Sequence, residues 1–343
     1  RAARLPGLDP NLGPALERFR DLLAQDPAGQ IQPHGGSLVQ EAGNRLGNLL
    51  LASVGDLVAN SDRLIVSPDG ILNQIPFGMF GSPGDGTGAP PALLDAHEIV
   101  CVPSAALFVD LRRRAQGEAG TMPSRQILAL AAGGRDGAPS LPGAIEEVNW
   151  LHRRFRDVDL RSPGRPTGQL RPGDLERYRV LHFASHTLLD DQHPWRSGIL
   201  CDSPDSTALA YLRASDIAPL RLTARLAVLS GCESAGGRVL SGEGVLGLTG
   251  AFTSAGVPAV VATLWPVQDR TTTRLIRKFY DSLEQGETAG NALRRAQLTV
   301  RMDPRTRHPF YWAGFVIIGD GDVRVSLKRR IPVGTTVAAS AVA

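Results

Sequence analysis

Cysteine is scarce in this chain. Three residues, Cys101, Cys201 and Cys232, are spread through 343 positions, too few and too far apart for a disulfide framework, and no Cys-x-x-Cys pair is present for zinc or redox work. Aromatic residues make up only 5% of the chain. No run approaches the roughly 18 consecutive apolar residues of a membrane-spanning helix, and the opening Arg1-Ala2-Ala3-Arg4-Leu5-Pro6 lacks the apolar core of a secretory signal. A reduced, cytoplasmic setting with no membrane contact is therefore expected. Charge of one sign hardly dominates, since 37 Lys and Arg stand against 34 Asp and Glu. The arginines are scattered rather than gathered into a block, which argues against direct nucleic-acid binding. The chain starts at Arg1 rather than Met, as a trimmed or C-terminal piece of a longer protein would.

What is present is a 42% hydrophobic chain long enough for one large α/β domain or two smaller ones. Residues 1–40, rich in Gly, Pro and Gln, form a weakly specified lead-in with one helical candidate at Ala15–Ala24. Leu46, Leu49, Leu50, Val54, Leu57 and Val58 recur at helical spacing, and Arg63–Val66 predicts a strand stopped by Pro68-Asp69-Gly70. Ile71–Phe80 is expected to be the return arm of a turn, and Glu98–Val102 a strand. From Gln126 onward strands and helices alternate. Ile127–Ala132, Val180–Ala184, Leu226–Leu229 and Val257–Leu264 are apolar without polar alternation, the signature of parallel strands covered on both faces. Helices are predicted around Ile145–Phe155, Leu275–Leu283 and Ala289–Val300, with a last strand at Phe315–Ile318. The pattern predicts an α/β fold with an open, mostly parallel sheet and helices on both faces.

In such sheets reacting groups gather at the carboxyl ends of the strands. Val180–Ala184 runs into Ser185-His186-Thr187, and Leu226–Leu229 runs into Ser230-Gly231-Cys232-Glu233. A His and a Cys, 46 residues apart, thus leave the same edge of one sheet. The small residues Gly231, Ala235, Gly236 and Gly237 would let a peptide carbonyl approach backbone N–H donors. Cys101 and Cys201 lie within apolar strands and are read as core hydrophobes; His182, inside its strand, is read as a hydrogen-bonded structural residue. His182 and His186 are four apart, but Phe183 and Ala184 stand where a helical zinc-protease motif needs its Glu. No metal or other cofactor is expected. A Gly-x-Ser-x-Gly elbow and a P-loop lysine are both missing, and tight packing is the plainer reading of Gly242, Gly244 and Gly247.

Together the runs Leu181-His182-Phe183-Ala184-Ser185-His186, Leu229-Ser230-Gly231-Cys232-Glu233-Ser234, Gly242-Glu243-Gly244-Val245-Leu246-Gly247, Val260–Val267 and His308–Phe315 resemble the CHAT domain family, caspase-like relatives of separase. Pro68–Leu72, Ile75-Pro76-Phe77, Pro103-Ser104-Ala105 and Leu141-Pro142-Gly143-Ala144 with Glu147 match as well. The resemblance implies a caspase-like fold over residues 41–325, with 41–120 as its N-terminal part, 121–325 carrying the dyad, and 326–343 as a flexible tail. It implies a cysteine endopeptidase whose catalytic dyad is His186 and Cys232, with backbone N–H groups of Thr187 and Cys232 holding the oxyanion. Substrate contacts are expected from Asp269, Trp265 and Glu233. The resemblance also implies a protein substrate and control by an activator or fused sensor, in bacterial defence or cell death. A non-catalytic interaction module of the same fold is the alternative. The family usually has Gly after its His, where this chain has Thr187, and Thr-Gly after Cys-Glu, where it has Ser234-Ala235.

Overall fold

Alternation of apolar strands with amphipathic helices builds one sheet with two separate cores. A computed structural model describes residues 12–25, 35–83, 91–117, 125–132, 141–163, 170–190, 192–201, 210–231, 243–266 and 269–330. In chain order the elements are α1 (Leu12–Ala24), α2 (Gly35–Leu51), α3 (Gly55–Ala59), β1 (Arg63–Val66), α4 (Leu93–Ala96), β2 (Glu98–Cys101), α5 (Ala105–Gly117), β3 (Arg125–Ala132), α6 (Pro142–Arg154), β4 (Val158–Arg161), β5 (Tyr178–Ser185), β6 (Thr187–Leu188), β7 (Gly198–Cys201), β8 (Ala210–Arg213), α7 (Ala214–Ile217), β9 (Leu226–Leu229), α8 (Glu243–Ser254), β10 (Ala259–Thr263), α9 (Asp269–Glu284), α10 (Ala289–Met302) and β11 (Phe315–Gly319). Among the described residues eight strands form the main sheet in the order β1-β2-β11-β10-β9-β5-β3-β4, and β6-β7-β8 form a small second sheet.

Every neighbouring pair in the main sheet is parallel except β10 with β11. The sheet is thus two parallel blocks meeting at one antiparallel seam, which is the open, mostly parallel architecture expected. Alternate residues of β3 show why its run is apolar throughout. Ile127, Ala129 and Ala131 enter the core beneath α6, α9 and α10, whereas Leu128, Leu130 and Ala132 enter the opposite core with α7 and α8, so after the exposed Arg125 the strand is buried on both faces.

One local expectation gives way to tertiary structure, and two segments at the ends of the chain are seen packed on the fold. Ile71–Phe80 is no return strand: Gly70–Gln74 and Phe77–Met79 are 3-10 turns, because Gly70 adopts a positive φ of 53° and Pro76 has no N–H to give a ladder. The lead-in is held, since Leu12, Leu16, Phe19 and Leu23 of α1 are buried in the main core. Residues 326–330, expected in the tail, run along the sheet's flank: Phe155 bridges Arg329, Lys328 N–H donates to the Gln126 side chain, and Arg330 N–H donates to Arg154 O.

Candidate active site

The two strands that carry the expected dyad are direct neighbours. β5 and β9 are parallel with Val180 opposite Leu226, His182 opposite Val228 and Phe183 opposite Leu229. Pairing continues past β9, because Ser230 N–H donates to Phe183 O at 3.0 Å. Gly231 then lies so close to Ser185 that a Cβ there would collide with Ser185 backbone, so residue 231 has to be glycine for the chain to leave the sheet here. Cys232 and Glu233, the next two residues, lie outside the described residues.

His186 follows β5 directly and is buried. Its carbonyl accepts from Leu200 N–H at 2.8 Å, and the preceding Ser185 Oγ donates to Leu200 O at 2.6 Å, so β7 pins the backbone on both sides of the imidazole. Thr187 opens β6 opposite Ile199. Because residues 186 and 200 form the hydrogen-bonded pair, 187 and 199 form the alternate one, which points the Thr187 N–H away from β7. Among the described residues the buried Thr187 side-chain hydroxyl has no hydrogen-bond partner. The same holds for Thr263 Oγ1, at the carboxyl end of β10, the strand beside β9.

Beneath this edge lies a polar group of four residues that the residue pattern did not mark as a unit. Glu147 of α6, His182 of β5, Ser230 and Tyr280 of α9 are 1%, 0%, 6% and 0% exposed. Ser230 Oγ donates to Glu147 Oε1 at 2.5 Å. His182 Nε2 lies 2.7 Å from the same oxygen, an approach poorly aligned for a hydrogen bond, and Tyr280 Oη meets His182 Nδ1 at 3.1 Å. Burial, and then the Glu147 charge, push the Tyr280 hydroxyl well above its ordinary pKa. The sequence held one trace of this group: Glu147 falls on the buried face of α6, among Ala144, Val148 and Leu151.

Of the expected substrate residues, Trp265 and Asp269 lie among the described residues. Trp265 is buried in the main core; its indole N–H donates to Phe310 O at 3.0 Å, and the ring packs so closely on Gly314 that a Cβ there would come within 2.8 Å. Asp269 opens α9, half-buried, and its carboxylate accepts from Gly143 N–H at 2.5 Å. It therefore covers the N-terminus of α6, and Thr273 Oγ1 completes the joint by donating to Gly143 O at 3.1 Å. Cys101 and Cys201 lie in β2 and β7, and burial pushes the Cys101 thiol up to about 12.

The family model of the CHAT domain matches residues 40–320 of this chain. The chain belongs to the CHAT domain family. Over 115 residues, 34% of the chain, it is 39% identical to tetratricopeptide repeat protein 28 of Mus musculus. That stretch is 5% of the mouse protein, so the CHAT chain matches only a small part of this relative. Among solved structures it is similar to the Saccharomyces cerevisiae separase–securin complex, at 15% identity and TM-score 0.45, covering 69% of this chain and 14% of that one. It is also similar to the Arg-specific cysteine proteinase gingipain R, at 10% identity and TM-score 0.47, covering 92% of this chain and 76% of that one. No described helix of the CHAT chain is long and apolar enough to cross a membrane.

Proposed function

We propose that this CHAT domain is a cysteine endopeptidase with Cys232 as nucleophile and His186 as acid/base partner. One observation carries the reading: β5 and β9 are parallel neighbours whose pairing extends through Ser230 to Phe183, so His186 and the Ser230-Gly231 exit that precedes Cys232 lie at the same sheet edge. In the proposed reaction the Cys232 thiolate attacks the scissile carbonyl carbon and forms a C–S bond. The resulting oxyanion is held by backbone N–H groups of Cys232 and Thr187, and the outward direction of the Thr187 N–H supports that role. His186 gives its proton to the leaving amine as the C–N bond breaks. Water, losing a proton to His186, then cleaves the thioester and releases a carboxylate.

The substrate is proposed to be a specific protein, met under control of an activator or fused sensor in a bacterial defence pathway. The buried hydroxyls of Thr187 and Thr263, without a partner among the described residues, support a site completed on binding, since native interiors rarely leave such groups unpaired. The mammalian relative named for tetratricopeptide repeats favours a second reading, a partner-binding module without catalysis. Substitution separates the two. Cys232→Ala and His186→Ala should each cut cleavage of the natural substrate by on the order of 10³-fold or more while stability changes by less than about 2 kcal/mol. Cellular proteins compared for new N-termini between wild type and Cys232→Ala identify the substrate. Equal N-termini in both, with activator present, would leave the partner-binding module as the function.

A further inference from the structure

The face of the sheet under α6 and α9 is apolar at almost every position, which makes the four polar residues gathered there conspicuous. Val180 and Ala184, two before and two after His182, enter this core with Val228 and Val261 from the next strands. A buried carboxylate is costly unless each of its contacts is satisfied. One tautomer fits most of this set, with His182 Nε2 close to Glu147 Oε1 but making no hydrogen bond to it. With the His182 proton on Nε2, facing Glu147, Nδ1 is free to accept from Tyr280 Oη–H, while Ser230 Oγ–H donates to Glu147 Oε1.

Apolar residues of the same volume would fill this space as well, and often with greater stability. What they would lack is direction. Ser230 is gripped twice: its N–H by Phe183 O at 3.0 Å, and its hydroxyl by Glu147 Oε1 at 2.5 Å. The first bond references the exit of β9 to β5, and the second references it to α6. Phe183 lies three residues before His186, and Ser230 two before Cys232. We infer that Glu147 is a positioning residue, whose Oε1, through its hydrogen bond to Ser230, sets the exit of the nucleophile's strand against the strand bearing the catalytic His. Glu147 touches neither substrate nor reacting atoms. This assignment rests on the His186/Cys232 reading above, and its test keeps the two apart.

The experiment follows alkylation of Cys232 by iodoacetamide against pH, with mass spectrometry resolving Cys232 from Cys101 and Cys201. Wild type is compared with His186→Ala, Ser230→Ala and Glu147→Gln, and thermal melts confirm that each is folded at the assay temperature. A thiolate paired with imidazolium titrates well below the ordinary cysteine value of about 8.5, so its loss is visible in the profile. Ser230→Ala is expected to move the Cys232 midpoint upward and slow alkylation near pH 7 by about tenfold. Glu147→Gln keeps an oxygen acceptor for Ser230 and should stay within about threefold of wild type. A purely structural role would lower the melting temperature of Ser230→Ala and leave the midpoint where it is, which overturns the inference; so does a Glu147→Gln profile as displaced as that of Ser230→Ala. If His186→Ala matches wild type, the dyad reading itself fails. If His186→Ala is displaced and Ser230→Ala is not, only the positioning role fails.

Discussion

Asp269 shows how much a single carboxylate's meaning depends on its neighbour. An aspartate at the first residue of a helix can cap that helix, and one expected to contact substrate could select a basic side chain before the scissile bond. Its carboxylate instead meets the N–H of Gly143 in another helix, where the partial positive charge of the α6 N-terminus already compensates it. Asp269→Asn is therefore expected to leave cleavage-site preference unchanged in a positional peptide library and to cost about 1 kcal/mol of stability. A preference for Arg or Lys that vanishes in Asp269→Asn would restore the specificity role. Gly143 is the other half of the joint, because a Cβ there would run into the Asp269 carboxylate. Gly143→Ala should lower stability by roughly 1–3 kcal/mol, read by urea denaturation.

At the level of elements, α6 packs on β3, β4 and β5, and α10 packs on β2 and β11. α6 enters at Pro142, its first residue, where a missing N–H costs nothing, and delivers both the Gly143 joint and Glu147. α10 is capped by Thr288, whose side chain accepts from Asn291 N–H at 3.3 Å. Farther along, Gln297 donates to Trp312 O at 3.0 Å and Phe315 O at 2.9 Å, tying the helix to the seam strand β11. Thr288→Ala is expected to cost about 1 kcal/mol through the lost cap, seen as a lower urea midpoint with an unchanged slope.

For the whole molecule, pH acts through an ion cluster on the far block of the sheet. Arg63 of β1 binds Glu98 of β2 at 2.8 Å and Asp322 at 2.6 Å, and Arg112 of α5 binds Asp322 at 2.7 Å. Burial pushes Glu98 above the ordinary carboxylate range although Arg63 works against it. Burial also works to raise Asp322, but Arg63 and Arg112 outweigh it and hold that carboxyl low. The two carboxylates therefore have opposite linkage. Asp322 contributes stability above its ordinary pKa, and that contribution is lost as pH falls through the lowered value. The contribution of Glu98 is present below its ordinary pKa and is lost as pH rises through the raised value. Glu98→Gln should accordingly raise the melting temperature by about 2–4 °C near pH 8 and have little effect near pH 4, whereas Asp322→Asn should lower it near pH 8.

Period and composition alone determined the α/β class, the covered parallel strands and the His and Cys at their carboxyl ends, because burial on both faces writes itself into a strand as an unbroken apolar run. The same logic marked His182 as a structural histidine, and Tyr280 and Glu147 are the partners it meets in the core. Other features depend on which segments meet. The antiparallel seam between β10 and β11 has no local signature, since strand direction follows from how the connecting helices pack. The helix α5 went unmarked at Ala105–Gly117, whose run of Arg112, Arg113 and Arg114 carries no apolar period. Trp265 is read from its strand end as a substrate contact, and only the fold shows Phe310 and Gly314 closing over it. Glu147, 83 residues from Ser230, becomes its partner only because α6 crosses the exit of β9, a coincidence in space that no spacing along the chain encodes.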